Sequence, residues 1–355
     1  MHMADALISP LVGGVMWAAT AAITAYSARK LDAGGDDRVV PLMGVLGAFI
    51  FAAQMINFSI PGTGSSGHLG GGMILSILLG PYAAFLTMAS VLTVQALFFA
   101  DGGLLALGCN IFNLAFFPCF VAYPLLYRTI AGAHASEKRI LVASLVAVIA
   151  GLQLGALAVV LQTFFSGVSE LPFATFLLLM LPIHLAIGIV EGLLTAAIVT
   201  VVGRARPEVL ASAAALPATP RPGRGRLLAQ LLLLTAVTGG LLSWFASTRM
   251  DGLEWAIFHS SGKEALPAPA TDAHALAATL QERTALLPDY AFRPAAEEGD
   301  AAEPAAEVAA AGSGKEKEWP DVSAGTSFAG LLGATLSMLL AGLLGFALLR
   351  LRQRR

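Results

Sequence analysis

The feature that most limits the fold of this chain is a series of apolar runs long enough to cross a lipid bilayer. A spanning helix needs about 20 mostly apolar residues, and such runs recur along the sequence. The nine segments are residues 6–28, 40–57, a short one at 69–80, 82–99, 104–127, 140–165, 173–202, 227–247 and 327–350. Because 57% of the residues are hydrophobic and only 12% are charged, a soluble core could not cover this apolar surface. The sequence therefore predicts an all-α polytopic membrane protein.

The distribution of Lys and Arg predicts the orientation of the spans. In short connections these residues stay on the cytoplasmic side. They occur in the connections at 29–38, 128–139 and 204–226 and at the C-terminal end, whereas the connections at 58–68, 100–103 and 166–172 contain neither. We therefore expect an extracytoplasmic N-terminus and a cytoplasmic C-terminus. Residues 1–5 lack the basic start of a secretory signal peptide, so we expect the chain to begin at Met1.

The predicted spans fall into two groups. Seven lie within residues 1–203, a linker rich in Pro, Arg and Ala covers 204–226, and two lie within 227–355. The connection between the last two spans is rich in Ala, Pro and Glu, and we expect its middle, 265–318, to be mobile. This pattern predicts a seven-helix domain, a cytoplasmic linker and a two-helix C-terminal unit with a long extracytoplasmic loop.

The first two residues offer three nitrogen atoms that can share one plane. The Met1 amine and the deprotonated His2 amide close one chelate ring on a metal ion, and the His2 imidazole closes the next. One in-plane corner stays open. Such a plane suits Ni(II) or Cu(II), which prefer tetragonal geometry. The alternative is that a His stands near the N-terminus by chance.

A glycine-rich connection at 61–72 carries one histidine, His68, on the same predicted side of the membrane as Met1. Glycines permit irregular backbone and close approach to a ligand. Neutral imidazole is the commonest metal ligand, so His68 can supply the fourth corner. The alternative for a lone loop histidine is a solvated side chain.

Several motifs accompany these residues. They are the Met1-His2 start, His68-Leu69-Gly70-Gly71-Gly72, Leu79-Gly80-Pro81, the run from Val94 to Gly103, Leu107-Gly108-Cys109-Asn110 and Val190-Glu191-Gly192. Together they resemble the CbiM/NikM family, the substrate-capture component of energy-coupling-factor transporters for nickel and cobalt. The resemblance implies a metal held by the Met1 amine, the His2 backbone nitrogen and imidazole, and the His68 imidazole. The transported ligand is then Ni(II) or Co(II), and no cofactor is expected.

The C-terminal unit resembles the PDGLE-type small subunit NikN. The similar stretches are Asp251-Gly252-Leu253-Glu254-Trp255 and Leu287-Pro288-Asp289-Tyr290, with Met250 where the family motif has Pro. This small subunit accompanies nickel systems more often than cobalt systems, which favours nickel as the cargo.

The sequence contains no nucleotide-binding loop of the form G-x-x-x-x-G-K-[ST], so we expect a transporter subunit and not an enzyme. The resemblance implies two partners in a bacterial inner membrane: a transmembrane coupling subunit of the CbiQ/NikQ type and a cytoplasmic ATPase of the CbiO/NikO type.

Polar residues inside a membrane are costly and tend to be functional or paired. We expect Gln95, Asp101 and Asn110 to lie behind the metal ligands, where Asp101 either bonds a ligand histidine or caps the fifth helix. His184 and Glu191 lie seven residues apart on one helix face. We expect both to be internally hydrogen-bonded structural groups, with a role at the substrate site as the alternative.

A rival prediction is an intramembrane serine protease. The stretch Gly64-Ser65-Ser66-Gly67 fits a G-x-S-G nucleophile pattern, and His184 could act as the base for Ser66. A change of Ser66 to Ala would inactivate a protease and leave a metal carrier little affected.

Overall fold

The computed structural model describes residues 1–34, 39–132, 135–205, 210, 224–293 and 319–353. Its helices are α1 (Pro10–Gly34), α2 (Val39–Gln54), α3 (Gly72–Leu79), α4 (Pro81–Phe99), α5 (Leu107–Ala131), α6 (Glu137–Ser166), α7 (Phe173–Ala205), α8 (Arg224–Gly240), α9 (Gly252–Ser261), α10 (Asp272–Thr284) and α11 (Ala324–Gln353). Two short antiparallel strands, Phe58–Ser59 and Ser66–Gly67, pair within the loop that carries His68.

Each of the nine predicted apolar segments contains a helix. Among the described residues, six helices are long and apolar enough to cross a membrane, and two shorter apolar helices accompany them at Val39–Gln54 and Leu228–Gly240. The prediction of an all-α multi-pass membrane protein is confirmed. The first helix begins at Pro10 and not at residue 6, because Asp5–Leu7 form a separate turn of 3₁₀-helix.

Helix α5 has π geometry over Phe112–Tyr127, and Pro118 and Pro124 lie within this stretch. Proline has no N–H to donate, so a regular α-helical hydrogen-bond pattern cannot continue through these positions. Short π segments are frequent near functional sites. The stretch packs closely against the start of α3, where a Cβ on Gly72 would lie 2.6 Å from the Leu114 carbonyl oxygen.

The C-terminal helix α11 packs along α2. A Cβ on Gly44 would lie 3.0 Å from the Met338 carbonyl oxygen, and a Cβ on Gly333 would lie 1.9 Å from the Phe51 ring. Small residues let two backbones approach in a membrane, where packing replaces the hydrophobic effect as the main attraction. The C-terminal unit is therefore packed directly on the seven-helix domain.

The expectation of a mobile segment at 265–318 is wrong for the part that the structure describes. Residues 272–284 form helix α10. Thr271 caps its N-terminus, because the Thr271 hydroxyl accepts a hydrogen bond from the backbone N–H of His274. The side chains of His274 and Ala277 are buried, and this burial offsets the entropy lost on ordering. Residues 294–318 of that segment lie outside the described residues, as do 206–209 and 211–223 of the predicted linker.

Candidate metal centre

The N-terminal segment, residues 1–9, lies inside the protein ahead of α1. The side chain of Asn110 pairs with the Met3 peptide group in both directions: its Oδ1 accepts from the Met3 N–H at 2.8 Å, and its Nδ2 donates to the Met3 carbonyl at 3.1 Å. The side chains of Met3, Leu7 and Ile8 are buried in the same core. Burial of apolar side chains and satisfied backbone groups hold this segment in one position.

The connection between α4 and α5 completes the cradle for this segment. The Gly103 N–H donates to the Met3 carbonyl at 2.9 Å, and Asp5 Oδ1 accepts from the Ala106 N–H at 2.9 Å. A Cβ on Gly103 would lie 1.8 Å from Asp5 Oδ1. Only glycine fits at this position while Asp5 keeps its hydrogen bond.

The His2 side chain is 9% exposed and lies beside one acidic residue, Asp101. Its Nδ1 lies 3.3 Å from Asp101 Oδ1, and the Tyr290 hydroxyl donates to the other oxygen of Asp101. The Gln95 side chain also approaches the imidazole. Among the described residues, His2 Nε2 and Gln95 Oε1 are buried without a hydrogen-bond partner. The His2 ring therefore has one nitrogen facing Asp101 and one that no described partner satisfies.

His68 lies against His2. The two rings are stacked, with centroids 5.2 Å apart and planes 15° from parallel. The Nδ1–H of His68 donates to the carbonyl of Leu69 at 3.2 Å. In this tautomer the lone pair of Nε2 is the one free to bind a cation. The loop thus brings a second imidazole to the N-terminal dipeptide.

The Met1 amine forms an ion pair with a residue of the C-terminal unit. The amine donates to Asp251 Oδ2 at 3.1 Å. The other oxygen, Oδ1, accepts from the backbone N–H groups of Leu253 and Glu254, both at 2.8 Å, at the start of α9. The Glu254 side chain accepts a hydrogen bond from the Asp251 N–H at 3.0 Å, which completes a capping box. One carboxylate therefore caps a helix and holds the N-terminal amine.

Burial and the neighbouring charges shift the pKa values at this site. Burial, followed by the N-terminal charge, lowers the pKa of His2 to about 3 and that of His68 to about 4. Burial raises the pKa of Asp101. Burial alone would raise the pKa of Asp251, but the N-terminal ammonium and its hydrogen bonds hold it well below the ordinary value. Both imidazoles are therefore neutral and able to bind a cation near pH 7.

Two residues of α10 hold the backbone on either side of the site. His274 Nε2–H donates to the carbonyls of Asp5 at 3.2 Å and Ile8 at 3.0 Å, while its Nδ1 accepts from the Thr271 hydroxyl at 2.7 Å. Gln281 Nε2 donates to the carbonyls of Ala96 at 2.9 Å and Gly102 at 2.7 Å. The C-terminal unit therefore fixes both the N-terminal segment and the α4–α5 connection.

The structure brings together the predicted ligands Met1, His2 and His68 with Asp101 and Gln95 beside them. Within the described residues, no group of three or more His, Cys, Asp or Glu side chains could hold a metal ion. The predicted set has only two such side chains, and its other donors are backbone nitrogens. A small cavity of about 10 Å³ lies between Met1, His68 and Asp251, enough for one water-sized species. The arrangement is suited to a single cation held by nitrogen atoms.

Several expectations from the sequence have a definite outcome. Asp101 does not cap the fifth helix, which begins after Ala106; its carboxylate faces His2 and Tyr290 instead. Asn110 holds Met3 and not a histidine. The Nδ1–H of His184 donates to the carbonyl of Met180 at 2.8 Å, the internal hydrogen bond expected of a structural group.

The rival serine protease is contradicted by the position of its nucleophile. The Ser66 hydroxyl is buried and lies 2.8 Å from the Arg249 carbonyl and 3.2 Å from that of Met250. No hydrogen bond joins Ser66 to His184 in the part of the chain that the structure describes. A buried hydroxyl bonded to carbonyls has no base to activate it.

The sequence did not assign Asp251, Tyr290, His274 or Gln281 to the site. The pattern Asp251-x-x-Glu254 is a capping-box signature, and it places the carboxylate at a helix start without indicating the Met1 amine. The other three lie in the loop that the composition predicts to be mobile. Tyr290 and Gln281 contact residues 189 and 185 positions earlier in the sequence, and His274 contacts one 266 positions earlier. Local sequence patterns cannot predict contacts between residues so far apart.

Comparison with known proteins gives the family. Residues 2–209 match the family model CbiM, "Cobalt uptake substrate-specific transmembrane region", and residues 225–350 match the PDGLE domain. A putative metal transport protein of Haloquadratum walsbyi is 39% identical over 210 residues, which cover 59% of this chain and 93% of that protein. A putative fused nickel transport protein, NikMN, of Archaeoglobus fulgidus is 37% identical over 223 residues, covering 61% of this chain and 70% of that protein.

A solved structure shares the fold of the N-terminal part. A crystal structure of a transition metal transporter is 30% identical, with a TM-score of 0.51, and covers 59% of this chain and 95% of that chain. The family model covers more than half of the residues. The chain belongs to the CbiM family, the substrate-specific transmembrane region of cobalt uptake, and carries a PDGLE domain after it.

Proposed function

We propose that this chain is the substrate-specific component of an ATP-driven uptake transporter of the energy-coupling-factor type, and that it captures Ni(II), with Co(II) as a second cargo. The observation that carries the proposal is the convergence of the Met1 amine with the His2 and His68 imidazoles in one buried place. Three groups, two from the N-terminal dipeptide and one from the loop that follows α2, meet there with a carboxylate beside them. Few arrangements of that kind serve packing alone, because burial of ionisable groups is costly.

The ligand set follows from chelate geometry. The Met1 amine, the His2 amide nitrogen and His2 Nδ1 close two fused rings on one cation, and His68 Nε2 fills the fourth corner. His2 Nδ1 then leaves Asp101 for the metal, and its Nε2–H takes an acceptor. The Gln95 side chain approaches the same ring, and its Oε1 has no hydrogen-bond partner among the described residues. A hydrogen bond from the far nitrogen of a ligating histidine fixes its tautomer and orientation.

The nature of the donors favours nickel as the cargo. Four nitrogens in a plane suit Ni(II), whereas oxygen-rich sites suit Mg(II) and Ca(II). The Archaeoglobus fulgidus relative, which is named a fused nickel transport protein, supports the same choice. The preference over Co(II) is a matter of degree, since imidazole and amine ligands bind both ions.

The division of labour follows the two units of the chain. We assign residues 1–203 to metal capture, 204–226 to a cytoplasmic linker and 227–355 to a unit that covers the site. Asp251, Tyr290 and α10 all contact the N-terminal segment or its cradle. The Ser66 N–H also donates to the Met250 carbonyl at 2.7 Å, which ties the His68 loop to the same unit.

Energy for uptake comes from other subunits in this proposal. The sequence has no nucleotide-binding loop, so the chain works with a transmembrane coupling subunit of the CbiQ/NikQ type and a cytoplasmic ATPase of the CbiO/NikO type. We place the chain in a bacterial inner membrane with its N-terminus and metal site outside and its C-terminus in the cytoplasm. The Lys and Arg distribution supports that orientation.

Cellular uptake of nickel and cobalt with the native partners tests the proposal. The variants are His2→Ala, His68→Ala and one Ala inserted between Met1 and His2, with the N-terminus of each verified by intact mass. We expect all three to lose uptake while the protein is still made and inserted. His259→Ala is the matched control, because this histidine is exposed on α9 and bonds only its own helix, and its uptake should equal wild type.

Uptake that survives both the insertion and His2→Ala would show that the N-terminal chelate is not the substrate site. Uptake of cobalt with exclusion of nickel would overturn the choice of cargo and leave the capture site in place. Ser66→Ala, which removes the hydroxyl of the rival protease, should transport normally.

A further inference from the structure

Glu191 is a buried carboxylate on α7 that faces the glycines following His68. Its Oε1 accepts a hydrogen bond from the Gly71 N–H at 2.9 Å. A Cβ on Gly70 would lie 3.1 Å from both carboxylate oxygens, so the backbone at Gly70 is in close contact with the whole group. The contact joins the His68 loop to a helix more than a hundred residues further along the chain.

The first of these glycines, Gly70, is also held by α2. Gln54 Nε2 donates to the Gly70 carbonyl at 2.8 Å, and Gln95 Nε2 donates to Gln54 Oε1 at 2.8 Å. Gln54, Gln95 and Glu191 are all buried. Gly70 and Gly71 therefore lie between a carboxylate from α7 and an amide from α2.

Glycines have no side chain to pack, so only backbone hydrogen bonds can fix this part of the loop. Gly71 also has φ of +80°, a conformation that other residues rarely adopt, and it stands just before α3. A carboxylate near a helix N-terminus is favoured by the helix dipole. Glu191 thus provides the hydrogen-bond acceptor for the Gly71 N–H and stabilises the N-terminus of α3. It also fixes the position of the backbone that connects α3 to His68.

We propose that Glu191, acting with Gln54, is a positioning residue that sets the place of the His68 imidazole relative to the Met1–His2 chelate, by holding Gly70 and Gly71. This inference rests on the proposed function, because the residue that Glu191 would position, His68, is the proposed fourth ligand of the metal. The hydrogen-bonded series continues through Gln95, whose side chain approaches His2. One series of buried polar groups therefore connects the supports of both histidines, and hydrogen bonds within such a series strengthen one another at low dielectric.

The test is the absorption spectrum and affinity of Ni(II) on the purified full-length chain. Glu191→Leu keeps the volume and removes the acceptor, and we expect a His68→Ala-like spectrum and an affinity lower by about 10- to 100-fold. Glu191→Gln keeps an acceptor oxygen for the Gly71 N–H, and we expect a wild-type spectrum with affinity within about 3-fold of wild type. If Glu191 served folding alone, the Ni(II) absorption spectra of folded Glu191→Leu and folded Glu191→Gln would not differ.

Thr195→Val is the matched control. Thr195 lies one turn further along α7, is buried, and its hydroxyl has no hydrogen-bond partner among the described residues. The control changes the same helix without touching the loop, so it should leave the spectrum and affinity unchanged. Equal loss of nickel binding in Thr195→Val and Glu191→Leu would point to a general effect on α7 and would overturn the inference.

The two proposals fail in different ways. If His68→Ala has the wild-type spectrum, then His68 is not a ligand and the proposed site is wrong. If His68→Ala changes the spectrum and folded Glu191→Leu does not, the capture site stands and Glu191 does not position it. Where Glu191→Leu is not recovered folded, Gln54→Leu provides the same measurement from the other side of Gly70, with the same expected change.

Discussion

Asp251 Oδ2 accepts a hydrogen bond from the Met1 amine at 3.1 Å, an ion pair that spans 250 residues of sequence. The amine stands at the start of the CbiM region, and the carboxylate belongs to the PDGLE domain. The pair is partly buried, with side chains that are 3% and 18% exposed, and removal of one partner leaves the other charge unpaired. The C-terminal unit therefore takes part in the environment of the first proposed ligand.

Replacing Asp251 by Asn should weaken nickel binding by about 10- to 100-fold, the usual effect of removing a group that supports a metal ligand. Asn keeps an oxygen that can cap α9, so the helix should remain. Isothermal titration calorimetry of the purified chain measures the affinity. Glu254→Gln is the control, since the Glu254 side chain accepts from the Asp251 N–H and, among the described residues, forms no hydrogen bond with Met1. An equal loss in both variants would contradict a specific role for the Asp251 carboxylate.

Replacing His274 by Ala should loosen the N-terminal segment, because the ring donates to the carbonyls of both Asp5 and Ile8. Loss of a partner for buried carbonyls costs about 1–3 kcal/mol. We expect faster amide hydrogen exchange over residues 3–9 and reduced nickel uptake. His259→Ala should change neither quantity, and unchanged exchange in His274→Ala would show that α10 does not hold the segment.

A methyl group on Gly103 should displace the N-terminal segment. Its Cβ would lie 1.8 Å from Asp5 Oδ1 and 2.5 Å from the Asp5 nitrogen, and a clash with backbone cannot be relieved by a side-chain rotation. Gly103→Ala should therefore abolish nickel uptake. Gly14→Ala, on α1 with nothing within 4 Å of the added carbon, should transport normally. Uptake by Gly103→Ala at the wild-type rate would contradict the described cradle.

Gly333 should tolerate no larger residue, because its Cβ would lie 1.9 Å from the Phe51 ring. Gly333→Leu should separate α11 from α2 and lower the melting temperature in detergent by several degrees, the scale expected for overpacking of about 1–3 kcal/mol. Gly342→Ala is the control on the same helix, since the nearest atom, the Gly44 Cα, is 4.0 Å away. Equal melting temperatures for the two variants would argue against this packing.

Nickel affinity should fall as the pH is lowered, and the source of the protons is specific. The pKa values of His2 and His68 are lowered to about 3 and about 4, so both imidazoles stay neutral from pH 7 down to roughly pH 5. The imidazoles therefore add nothing to the number of protons that Ni(II) displaces in this range. Isothermal titration calorimetry in buffers of different ionisation enthalpy measures the number of protons released per Ni(II) bound. A number of released protons that rises by up to about two as the pH falls from 7 to 5 would mean that the imidazoles titrate near their ordinary pKa.

The sequence by itself determined the class of fold. Apolar runs of spanning length need only the chain's own hydrogen bonds to become helices in lipid, so all nine segments could be located without tertiary information. It also singled out Met1, His2 and His68 as candidate metal ligands, because a chelating dipeptide and a loop histidine are local features. The first helix began four residues later than expected, since Asp5–Leu7 pack as a separate turn.

Only the tertiary structure decided what surrounds these residues. Asp251, His274 and Gln281 reach the site from the C-terminal unit, and Glu191 reaches the His68 loop from α7. The partners of such groups are backbone atoms and a terminal amine, which leave no pattern in the residues themselves. The composition of 265–293 predicted mobility, yet burial of His274 and its hydrogen bonds order α10. Contacts between the C-terminal unit and the N-terminal segment stabilise α10, which its local sequence does not predict. Such contacts are visible only in the tertiary structure.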